Sequence, residues 1–136
     1  MECLTLSPSP QARFTGALPP DDAAIPEVLK EIASTAGNGA RVLGKEDDCL
    51  WVTGGSSFKK IDLTKCRKVR LVNRTPARGP GFISIMAANK TGKGHSVILD
   101  YDRHTEELFD EAKRLAEEIG CFLGYQVEIA YDGADC

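Results

Sequence analysis

Hydrophobic positions change their spacing along the chain. Across residues 41–101 they form short apolar stretches separated by turn residues, the signature of an antiparallel sheet. The pattern predicts strands over 41–44, 49–53, 58–63, 67–72, 82–88 and 95–101. Gly54-Gly55-Ser56-Ser57 reads as a turn and residues 89–94 as a six-residue hairpin loop. Residues 74–81, with Pro76, Pro80 and two glycines, read as a longer basic loop. From about 104 to 119 the period becomes helical, since Leu108, Ala112, Leu115 and Ile119 form one stripe with Phe109 and Ala116 beside it. Asp102 reads as the N-cap and Gly120 as the stop. Glu106 and Glu107 suit the positive helix end, and Asp110, Arg114 and Glu118 form an i, i+4 ladder on the wet face.

An earlier helix is expected over 24–36, with Pro26 at its start, Ile25, Val28, Leu29, Ile32 and Ala33 at helical spacing, and Gly37-Asn38-Gly39 to end it. After Gly124, Tyr125, Val127, Ile129 and Tyr131 alternate with Gln126, Glu128 and Ala130, a period-two strand ended by Asp132-Gly133. Pro8, Pro10, Gly16, Pro19 and Pro20 make the first 22 residues an extended arm with one short strand at its start. The expected organisation is that arm, residues 1–22, followed by a single α+β domain over 23–136. Its fold would be an antiparallel β-sheet or partly open barrel packed by a C-terminal amphipathic helix, with an additional N-terminal helix.

Composition bounds this picture without changing it. With 136 residues and 42% hydrophobic side chains the chain can bury about two-thirds of its unfolded surface in one core. A net charge of −3 argues against a surface that grips a polyanion all over. The total hides a segregation. Residues 59–93 carry ten Lys and Arg against the single acid Asp62, whereas residues 1–58 hold four basic and eight acidic side chains and residues 94–136 three and eleven.

No basic n-region or apolar h-region opens the chain, and the apolar run 82–88 falls far short of a bilayer's thickness, so a cytoplasmic chain without a transmembrane segment is expected. Five cysteines without a Cys-x-x-Cys pair fit free thiols in a reducing compartment.

The candidate chemistry lies in the basic segment. In residues 67–72 alternation puts Lys68 and Arg70 on one face and Val69 and Leu71 on the other, one cationic and one facing the core. With Lys60, Arg74 and Lys93 these form the candidate ligand-binding set, suited to the phosphates of a lipid headgroup, a phosphorylated peptide or a nucleic acid. The plainer reading is that the cations guard a sheet edge and partner the acidic helix face of the same molecule.

Base stacking would have to come from Phe82, or from Trp51 and Phe58 just upstream, all three of which suit a core better. Thr91-Gly92-Lys93-Gly94 fails as a phosphate-binding loop, because Ala87 stands where a first glycine is needed and a strand, not a helix, follows. His95, Asp100, Asp102 and His104 are close in sequence, but alternation separates them, so no metal site is expected. No local motif supports a cysteine nucleophile: Cys49, Cys66 and Cys121 sit where cysteine acts as a small hydrophobe. No cofactor is called for.

Residues 49–124 combine several antiparallel strands, the late hairpin GFISIMAANKTGKGHSVILDYD and the terminal helix HTEELFDEAKRLAEEIGCFLG. This pattern resembles the bacterial PH-like domains. The resemblance implies a curved sheet plugged at one end by the helix, and a module that binds partners or membranes without chemistry. Lys60, followed eight residues later by Lys68-Val69-Arg70, is similar to the basic pattern by which some PH domains hold phosphoinositide headgroups. The expected function is therefore a non-enzymatic interaction module whose basic face binds a phospholipid headgroup or an acidic protein surface. The alternatives are a nucleic-acid-binding protein using the same face and a small enzyme with a Cys/His site. A homo-oligomer formed through the open edge of the last strand is a further option.

Overall fold

The alternating segments pair into two sheets. The computed structural model describes residues 1–14, 25–37, 39–54, 57–74, 81–89 and 95–131. In chain order they form β1 (Glu2–Leu6), β2 (Ala12–Arg13), α1 (Glu27–Thr35), β3 (Arg41–Glu46), β4 (Cys49–Gly54), β5 (Ser57–Asp62), β6 (Lys68–Arg74), β7 (Phe82–Ala88), β8 (His95–Tyr101), α2 (Glu106–Leu123) and β9 (Gln126–Tyr131). The class is α+β as expected, but the strands divide between a four-stranded sheet of order β1-β3-β4-β5 and a five-stranded one of order β2-β8-β7-β6-β9, neither closed into a barrel. The expected single sheet is corrected at Asp62. Its Oδ1 accepts from the backbone N (2.9 Å) and hydroxyl (2.8 Å) of Thr64, a local turn that ends β5, and β6 then pairs with β7 and β9 instead. Residues 90–94 of the expected hairpin loop, 75–80 of the basic loop and 55–56 of the turn lie outside the described residues.

The described residues form two compact units, one within Met1–Pro10 and Gly16–Thr64 and the other within Gln11–Thr15 and Lys65–Cys136. In the first, β1 pairs antiparallel with β3, so the proline-rich start contributes a strand, with Leu6 buried. Helix α1 lays Leu29 against Ile25, Val42 and Trp51, with Ile32, Ala33, Phe58, Cys3 and Cys49 around them. Val28, expected on the apolar stripe, is 52% exposed, because the buried face is centred on Leu29. Gly44 makes the close approach possible: a Cβ there would lie 3.1 Å from Leu29 Cδ1 and 2.9 Å from Met1 Sδ. Leu43, Leu50, Val52 and Ile61, of opposite parity, are also buried.

In the second unit β6, β7 and β8 form an antiparallel meander, and α2 leads from β8 to β9, which joins β6 in parallel. A register shift between Ile85 and Met86 marks an irregularity in the β7–β8 pairing. Two expected boundaries of α2 are corrected. Its N-cap is Thr105, whose hydroxyl accepts from the Leu108 backbone N at 3.0 Å, and not Asp102, since residues 102–105 separate β8 from the first helical residue, Glu106. The helix also continues through Gly120 to Leu123 and ends at Gly124, which takes the left-handed conformation at φ 75°. Gly120 is buried in the helix because Val127 Cγ2 and Tyr125 O would stand 2.7 and 3.0 Å from a Cβ. Leu108, Ala112, Leu115, Ala116, Ile119 and Leu123 form the buried stripe. Among the described residues, no helix is long and apolar enough to cross a membrane.

Candidate functional site

Strand β6 carries the candidate site, and its burial follows its alternation. Val69, Leu71 and Asn73 are fully buried, while Lys68 and Arg70 are part-exposed and Arg74 is exposed. The apolar side faces α2, as two contacts of its neighbours show. Val127, the register partner of Val69, lies against Gly120 of the helix, and the Tyr101 hydroxyl donates to Glu111 Oε2 at 2.6 Å. Lys68, Arg70 and Arg74 share the other face.

Glu128 joins them there. Parallel pairing sets Arg70 beside Glu128 and Lys68 beside Gln126. Lys68 Nζ donates to Glu128 Oε2 at 2.5 Å, and Arg70 Nε lies 3.3 Å from Oε1, so each carboxylate oxygen faces a different cation. The hydrogen bond from Lys68 holds the Glu128 carboxyl below the ordinary carboxylate range. Partial burial opposes this shift, while the charges of Lys68 and Arg70 add to it. This contact corrects the plainer reading of the basic run twice. Strand β6 is interior, between β7 and β9, so Lys68 and Arg70 guard no edge. Their carboxylate partner comes from the last strand and not from the acidic face of α2.

Arg74 closes the strand with its guanidinium 5.8 Å over the ring of Phe82, its register partner on β7. A second ion pair lies on the same face, Arg13 of β2 holding Asp100 Oδ2 of β8 at 2.7 Å. On the helix side, Asn73 Nδ2 donates to the Ala130 carbonyl at 3.0 Å and ties β6 to β9 through a side chain.

The two other expected site residues are not on β6. Lys60 belongs to β5 in the first unit, exposed, with Nζ 5.5 Å over the Trp51 ring. Lys93 lies outside the described residues. Glu128 is the residue that sequence reading missed. Its strand and parity were readable, but its pairing with β6 depends on sheet order.

Other chemistry finds little support. Trp51 is 7% exposed, a core residue and not a stacking surface. Cys3, Cys49, Cys66 and Cys121 form no disulfide, and burial pushes the Cys49 thiol up, against the pull of Lys60 and with Glu46 and Asp62 adding to the rise. The His104 ring packs 5.6 Å from that of Phe109. Among the described residues no three metal-ligating side chains come together. Comparison with protein-family models, curated proteins and solved structures returns no match.

Proposed function

We propose that the chain is a non-enzymatic interaction module whose β6 face binds an anionic partner, a phospholipid headgroup or an acidic protein surface. The Glu128 contact carries this reading: Lys68 of the interior strand donates to one oxygen of the carboxylate, and the Arg70 guanidinium lies in ion-pair range of the other. Charge-assisted contacts of this kind are the strong ones in anion recognition. Arg74 extends the same face into solvent. The resemblance to PH-like domains agrees with binding without chemistry, and of the expected set Lys68, Arg70 and Arg74 are the residues that β6 supplies. The burial of Trp51 weighs against the nucleic-acid reading, and the raised Cys49 thiol against a cysteine enzyme.

The test is retention on a phosphate-bearing cation-exchange resin. Arg70→Gln and Arg74→Gln, with wild-type circular dichroism, should elute earlier than Lys113→Gln, which removes the same charge from α2. Elution of all three together would show that only bulk charge matters and would overturn the reading.

A further inference from the structure

We propose that Glu128 occupies, in the unbound chain, the place of an acidic side chain of a partner protein, and that such a segment displaces it from Lys68 and Arg70. This rests on the anion-binding reading of the β6 face and adds the partner's chemistry and the group that competes with it. The present occupant is a planar carboxylate hydrogen-bonded at Oε2 by Lys68, with Arg70 Nε 3.3 Å from Oε1 as an ion pair without a hydrogen bond. An Asp or Glu side chain of another protein reproduces that acceptor.

Glu128 is built to leave. It stands on the last strand of its sheet, and its side chain is 43% exposed, against 18% for Lys68 and 30% for Arg70. Rotation of its side chain into water leaves the backbone of β9 in place, since that strand is held by its register with β6 and by Asn73. The two cations are less exposed and favour an anion beside them in either state. Exchange of one carboxylate for another therefore keeps both cations beside an anion, and the part-exposed pair that it breaks is a modest one. The charged groups of α2 take no part, because Val127 points to the helix and Glu128 points away from it.

Full-length wild type and Glu128→Gln are titrated with poly-L-glutamate and with phosphatidylcholine vesicles containing phosphatidic acid. Removing the internal competitor should tighten poly-L-glutamate binding about fivefold, with a smaller gain on the vesicles. Wild-type binding with no gain in the folded variant overturns the displacement and leaves the anion-binding reading standing. A larger gain on vesicles overturns the choice of partner. Binding of neither probe by either chain overturns both proposals. Should Glu128→Gln fail to fold, the carboxyl carbon of Glu128 in the wild type gives the answer by NMR. At neutral pH its chemical shift should move to that of a solvated carboxylate when poly-L-glutamate is bound, and an unchanged shift contradicts displacement.

Discussion

Gly120 shows how far one residue can govern the packing of the second unit. Its hydrogen lets α2 sit against β9 with Val127 Cγ2 only 2.7 Å from where a Cβ would be. Gly120→Ala should therefore destabilise the fold by about 1–3 kcal/mol despite alanine's better helix propensity, as overpacking does. Urea denaturation measures the loss, and adding Val127→Ala should recover part of it. Glu128 gives a second residue-scale expectation. Its folded-state carboxyl titrates below the ordinary range, so its contribution is present above the pKa of the unfolded chain and fades as pH falls through the folded value. The urea midpoint of wild type should exceed that of Glu128→Gln near neutrality, and the two should converge in acid. The difference is modest, because the side chain is 43% exposed.

At the scale of elements, caps and register decide what alternation leaves open. Thr105→Ala removes the hydroxyl that accepts from Leu108 N and should cost about 1 kcal/mol in a thermal or urea melt, while Asp102→Ala should be close to neutral. The sequence placed the cap three residues early because Asp is as good a cap as Thr and nothing local shows where β8 releases the chain. It ended α2 at Gly120 because glycine usually breaks helices, whereas here the glycine answers to a neighbour, Val127, seven residues on. Local periodicity was the legible part: the split of β6 into Val69 and Leu71 inside, Lys68 and Arg70 outside, follows from a two-residue repeat. The contact between Lys68 and Glu128 spans 60 residues and depends on β9 entering beside β6 in parallel, which no short-range pattern encodes. The division into two sheets was hidden for the same reason.

For the whole molecule, the net charge of −3 conceals a basic middle between acidic ends, and the fold returns one acid of the last strand to that middle. The segregation is thereby partly neutralised from within, at the point where the proposed partner's acid would take over the same contacts. Lys60 belongs to the other unit, where its ammonium sits over Trp51. The most direct test is an amide chemical-shift titration of the wild type with poly-L-glutamate. The account predicts the largest shifts along Lys68–Arg74 and at Glu128. Shifts centred instead on Lys59 and Lys60 of β5, or none at all, would contradict it.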